Sequence, residues 1–136
     1  MENAVDDGID KRKLYDIALR AAEKAYAPYS KYRVGAAVLT AGGKIFTGAN
    51  IENASYSAGI CAERVAASKA ISEGERDIAA IAIATENGRA MPCGICRQFL
   101  SEFNRGLLVI TGTGEDDITV KRLDELLPFG FEGPQI

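Results

Sequence analysis

Residues 77–85 read DIAAIAIAT, a nearly continuous apolar run closed by the loop signal Asn87-Gly88. A run of that length predicts a strand buried on both faces. Such a strand needs a covering layer on each side, and its neighbours supply candidates. Before it, CAERVAASKAISEG (61–74) reads as an alanine-rich helix closed by Gly74, with side chains small enough for close approach to a sheet. After it, Met91-Pro92 leads into CGICRQFLSEF (93–103), a second helix. GLLVITG (106–112) reads as another buried strand, followed by a turn over 112–117. The Gly-x-Gly of that turn is not a phosphate loop, because three acids follow it and no Gly-Lys-Ser/Thr does. ITV (118–120) reads as a short strand, and KRLDELL (121–127) as a last helix ended by Pro128.

The N-terminal half completes the frame. Asp10 can cap a helix whose Leu14, Ile17, Ala18, Ala21, Ala22 and Ala25 recur on one face until Pro28. YRVGAAVLT (32–40) and KIFTGANIEN (44–53) flank Gly42-Gly43 and predict a hairpin. The order α-β-β-α-β-α-β-β predicts an α/β fold, a three-layer α/β/α sandwich around a five-stranded sheet. The chain has 136 residues, enough for one domain with its own core. Residues 1–9 read as a flexible acidic tail, and 10–136 as the single domain.

Composition removes several function classes. With 47% apolar and 26% charged residues, the chain is globular rather than disordered. A net charge of −3 lacks the global basic field that grips a nucleic-acid polymer. No stretch reaches the roughly 18 apolar residues of a membrane helix. Residues 1–10 carry acids and no apolar block, unlike a secretory signal, so a cytoplasmic protein is expected. The absence of histidine excludes Ser-His-Asp and Cys-His nucleophile systems and every histidine metal site. Three cysteines, an odd number, argue against a disulfide framework.

Those cysteines form the candidate site. Cys61-Ala62-Glu63 opens one helix, and Cys93 and Cys96 open the next, with a strand between. Two helices that follow neighbouring parallel strands would start at one sheet edge, where their sulfurs can converge on one ion. Helix N-termini stabilise thiolates, and thiolates favour zinc over magnesium or calcium. Three sulfurs leave a fourth position for water or for Glu63 as a carboxylate ligand. At its spacing, Glu63 can also stand beside the metal without ligating it. Three thiolates and Zn²⁺ sum to one negative charge. Arg64 and Arg97, each directly after a site residue, are candidate donors to the sulfurs. Cys-x-Glu with Pro-Cys-x-x-Cys matches the zinc deaminase template, in which a non-ligating glutamate is the acid and base.

AYAPYSKYRVGAAV, GANIENASYS, CAERVA, PCGICRQ and LLPFGF, spread over residues 25–131, resemble the cytidine deaminases of the small homotetrameric, all-cysteine type. The resemblance implies a mixed sheet and one Zn²⁺ per chain on Cys61, Cys93 and Cys96. It implies that Glu63 shuttles protons while a zinc-activated water attacks C4 of the pyrimidine. Asn50 and Glu52 would bind the sugar 3′-hydroxyl, which needs both donors and acceptors. Tyr32 would pack near the pyrimidine, the Ala62 backbone would meet the base edge, and Tyr56 would line the site at a subunit border. Phe131, with Phe129 as competitor, would stack on the base from a C-terminal tail (129–136) that reaches a neighbouring subunit. Arg64 resembles the arginine that bonds the sulfurs. The implied reaction is hydrolytic deamination of cytidine and 2′-deoxycytidine in pyrimidine salvage. Three alternatives stay open: a deaminase of a nucleoside antibiotic such as blasticidin S, a polynucleotide deaminase, and a non-catalytic zinc-stabilised binding module. The acidic charge and lack of tryptophan disfavour the second.

Overall fold

The structure is a computed structural model that describes residues 8–134. Helix α1 (Lys11–Ala21) is followed by a hairpin of β1 (Val34–Thr40) and β2 (Ile45–Ala49). Then come α2 (Ala62–Ser72), β3 (Ile78–Thr85), α3 (Gly94–Ser101), β4 (Leu108–Gly114), β5 (Asp117–Arg122) and a single turn, α4 (Leu123–Leu126). The strands lie in the order β2-β1-β3-β4-β5. Only β3 and β4 pair in parallel, so the sheet is mixed. Of the expected tail, residues 1–7 lie outside the described residues. Ile9 packs against the core under α1.

Two apolar clusters make the three layers. On one face Leu14, Tyr15 and Ala18 of α1 pack on Ala37, Ala80, Ala82 and Ile110. On the other, Ala62, Ala66, Ala67 and Ala70 of α2 and Leu100 of α3 pack on Val38, Ile81, Ile83 and Val109. Residues of β3 appear in both clusters, as the 77–85 run requires of a strand buried on both faces.

The approach of α2 to the sheet depends on Gly48 of β2. A methyl group there would lie 2.5 Å from the backbone nitrogen of Ala66 and 2.8 Å from the carbonyl of Ala62. Gly48→Ala is therefore expected to cost about 2 kcal/mol through overpacking. Because the clash falls on the first turns of α2, kcat should fall along with Tm. Wild-type values of both in thermal unfolding and turnover would show that α2 can retreat freely.

Four expectations need correction. First, α1 ends at Ala21 and a tighter turn runs to Lys24, well before Pro28. The chain leaves the helix early because Tyr26 pairs with the strand extension: its amide donates to Asn50 O and its carbonyl accepts from Glu52 N. Second, the buried face of the first helix, read from Leu14, Ile17, Ala18, Ala21 and Ala22, also takes in Tyr15, which is fully buried with its hydroxyl donating to the carbonyl of Gly112. Third, the expected 112–114 turn is strand, with Gly112 opposite Ile118 and Gly114 opposite Asp117. Lys121 and Arg122 likewise extend β5 rather than opening the last helix. Fourth, the strands before α2 and α3 are not neighbours. β1 lies between β2 and β3, antiparallel to both, so β2 and β3 run the same way and end near Val34 and Gly35. The two helices still begin beyond one end of the sheet.

Candidate active site

Cys61 and Cys93 occupy equivalent places, each the residue that caps the N-terminus of its helix. Neither thiol caps its own helix through a side-chain hydrogen bond, which leaves the sulfurs for another partner. Their carbonyls already accept helical bonds, from Arg64 and Val65 to Cys61 and from Arg97 to Cys93. Cys96, one turn into α3, is fully buried. The three Sγ atoms lie within 4.8 Å of one another. The Cys61 and Cys93 sulfurs are 3.7 Å apart.

That spacing suits zinc. Tetrahedral Zn–S bonds of about 2.3 Å put neighbouring sulfurs about 3.8 Å apart. Among the described residues the cluster contains three cysteines and no carboxylate at the same spacing. The negative charge of three thiolates has a counterpart in Arg64, whose Nη2 lies 3.9 Å from the Cys61 sulfur. Its Nε is buried without a hydrogen-bond partner, a donor with capacity left for the site. Arg97 plays a different part from the one expected. Its Nε donates to the carbonyl of Pro92 and its Nη1 to that of Leu126, so it ties the approach to Cys93 onto α4.

The sulfurs share protons unequally. A hydrogen bond from Cys96, helped by the Arg64 guanidinium, pulls the Cys61 thiol down to about 5. The same contact, with burial, pushes the Cys96 thiol up. The pair therefore meets a metal with one proton already shared between its sulfurs and the other gone. Zinc rebinding to chelator-stripped protein at pH 8 should release fewer than three protons per ion. Calorimetry in buffers of different ionisation enthalpy counts them, and a full three would show that both sulfurs of the pair are neutral beforehand.

Glu63, in the first turn of α2, is only 4% exposed. Burial pushes its carboxyl up to about 7, and the Cys61 thiolate adds to the rise while Arg64 opposes it. A carboxyl poised there can both take and hold a proton near neutral pH.

Beside Cys61 opens a cavity of about 650 Å³. Asn50, Glu52, Tyr56, Cys61 and Arg64 line it, which brings five of the expected residues together. Ala62 is fully buried behind Cys61. Tyr32, half-exposed, lies outside the lining, as do Phe129 and Phe131. Phe131 is 76% exposed, with its backbone held at both polar groups by the Gln98 side chain. Asn50 Oδ1 accepts from Val34 N and its Nδ2 donates to Tyr32 O. Sequence reasoning missed Tyr29, Ser30, Ile60 and Ile95 in the lining. For Ile95 a signal existed: it is the apolar residue between Cys93 and Cys96 in the sequence, and the fold leaves it exposed. The others sit in loops whose course depends on tertiary pairing.

Three thiolates offered to one cation, a buried carboxyl beside them and an adjoining cavity define a metal-assisted hydrolase site. The comparisons agree on the class. Residues 9–111 match the model of the cytidine and deoxycytidylate deaminase zinc-binding region. A protein of Halalkalibacterium halodurans named cytidine deaminase is 46% identical over 125 residues, 90% of this chain and 95% of the relative. The crystal structure of cytidine deaminase from Burkholderia pseudomallei superposes with a TM-score of 0.85 at 43% identity, covering 90% of this chain and all of that one. That of the Mycobacterium tuberculosis cytidine deaminase gives 0.79 at 36% identity, over 90% of this chain and 98% of the other. The chain belongs to the cytidine and deoxycytidylate deaminase family.

Proposed function

We propose that the protein hydrolyses cytidine and 2′-deoxycytidine to uridine and 2′-deoxyuridine, releasing ammonia. The observation that carries this reading is the cluster of three sulfurs, with the buried Glu63 carboxyl close enough to feel the Cys61 thiolate and with Cys61 itself on the wall of a cavity that Asn50 and Glu52 also line, within the fold of named cytidine deaminases. Cys61, Cys93 and Cys96 would hold one zinc, which when bound polarises a water and lowers its pKa. The carboxylate of Glu63 takes the proton of the attacking water and delivers it to ring N3. It then assists the second transfer, to the departing amino group. Burial makes it a stronger base than an exposed carboxylate and lets it keep the proton between the two transfers. Asn50 and Glu52 face the sugar, and each keeps hydrogen-bonding capacity beyond the contacts described. Tyr32 packs near the ring and the Ala62 backbone meets the base edge.

The assembly belongs to the same proposal. Tyr56 is 83% exposed and Phe129 98%, and with Phe131 they are large aromatic surfaces left to solvent by one chain. A homotetramer would cover them and bring Phe131 of a neighbouring copy to the base. A small nucleoside, not a nucleic-acid polymer, is the partner. The setting proposed is the cytoplasm, where three free thiols stay reduced. Among the described residues no helix is long and apolar enough to cross a membrane.

Zinc content measured together with cytidine turnover, followed by ultraviolet absorbance and ammonia release, tests the reading. About one zinc per chain and saturable turnover is the expected result. Zinc without turnover of cytidine, but with turnover of blasticidin S, would reassign the substrate. Zinc without either would leave a binding module.

A further inference from the structure

We infer that Ser30 is a positioning residue for the deamination site, a hydroxyl strap that sets the Glu52 carboxylate and the Tyr32 backbone in one fixed relation. The inference rests on the proposed function for its substrate and on local geometry for everything else. Ser30 lines the cavity. Its Oγ donates a hydrogen bond to Glu52 Oε2, and it accepts one from the Tyr32 amide at 3.0 Å. The backbone amides of Tyr29 and Ser30 donate to the other carboxylate oxygen, at 2.9 and 3.1 Å. Three donors thus hold Glu52 in a single orientation, and they keep its carboxyl below the usual carboxylate range, the Ser30 hydroxyl most of all.

The backbone at this turn shows that it is held rather than relaxed. Lys31, between Ser30 and Tyr32, has φ 62°, the one positive φ at a non-glycine among the described residues. A lysine gains nothing locally from the left-handed conformation, so the surroundings must impose it. They do so from both sides. The Lys31 amide donates to Ala27 O, Ser30 is fastened to Glu52, and beyond the turn Asn50 grips Tyr32 O and Val34 N. Asn50 and Glu52, the two residues assigned to the sugar, therefore also clamp the segment that carries Tyr32. Ser30 joins the clamps, because its hydroxyl donates to Glu52 and accepts from the amide of Tyr32, the residue whose carbonyl Asn50 holds. Alanine can do neither, whereas threonine can do both.

Three measurements test this. In Ser30→Ala, KM for cytidine should rise about tenfold or more, the usual order for losing a hydrogen bond to a charged group. kcat should stay within about threefold, because the strap acts on binding geometry rather than on Glu63. Zinc content and Tm should hold, since the turn is at the surface. Ser30→Thr should bring KM back to within about twofold of wild type. Independently of activity, hydrogen exchange in the peptide covering Tyr32 should quicken in Ser30→Ala and return to wild type in Ser30→Thr. A wild-type KM in Ser30→Ala overturns the inference. So does unchanged exchange, or a joint fall in kcat and Tm that threonine fails to rescue. If the wild-type protein turns over no cytidine, the substrate reading fails instead, and the exchange comparison still decides whether Ser30 is the strap.

Discussion

Replacing Glu63 by glutamine is expected to lower kcat/KM for cytidine by about 10⁴-fold, the upper end of what positioned acid–base groups contribute. The size follows from the number of steps one side chain serves. Glu63 is the acidic residue in the first turn of α2, and the reading gives it both the proton from water and the proton for the leaving amino group. Glutamine keeps the volume and the hydrogen-bonding shape but can take up neither. The fold should not suffer. At 4% exposure a neutral amide avoids the burial cost that lifts the carboxyl to about 7, so Tm should be unchanged or slightly higher. Zinc should stay at one per chain, because the sulfur cluster does not include the carboxylate. Turnover, metal analysis and thermal unfolding on one preparation separate these outcomes. More than about one per cent of wild-type kcat/KM would take Glu63 out of the proton path.

Removing Cys96 should act on everything at once. Cys96→Ala deletes the one fully buried sulfur of the three and leaves two donors, fewer than the three protein ligands a catalytic zinc keeps. The expected result is below about 0.1 zinc per chain by metal analysis and no measurable turnover. Stability should fall too, since an ion present at a thousand times its Kd contributes about 4 kcal/mol. For a chain of this size that is a drop in Tm of roughly 10 °C or more. Ile95→Ala, next to it on the exposed side of α3, is the control and should keep both zinc and Tm. Full zinc occupancy in Cys96→Ala would remove this sulfur from the ligand set.

Why some of this was readable and some was not comes down to range. The 77–85 run announces a strand covered on both faces because burial is written residue by residue. The Asp10 cap and the Gly42-Gly43 turn are equally local: Asp10 does accept from the Lys13 amide, and Gly43 does take φ 95°. The three-sulfur cluster was legible because both helices begin with cysteine, and the sheet order mattered only through the direction of β2 and β3. The early end of α1 was not legible. It is decided by Tyr26 pairing with a segment some 25 residues away, and nothing near Tyr26 records that. Arg97 failed for a similar reason. Adjacency to Cys96 in sequence does not place a guanidinium, and the open carbonyls of Pro92 and Leu126 claimed it. Glu52 was read as a sugar ligand, but its loop contacts to Tyr29 and Ser30 depend on how two distant segments meet.

The arrangement of β1 between β2 and β3 also orders events in time. The β1–β2 hairpin closes over a four-residue connection, whereas the pairing of Val34 with Thr85 closes a loop of some fifty residues. Loop-closure entropy makes the first contact fast and the second slow. Cys61 cannot meet Cys93 and Cys96 until the second has formed, because the strands that launch their helices become aligned only through β1. Zinc is therefore expected to be captured by a sheet already assembled rather than to nucleate folding. Its stabilisation should then fall on the return path: stopped-flow kinetics with and without zinc should show slower unfolding and a nearly unchanged refolding rate, and zinc-accelerated refolding would overturn this order.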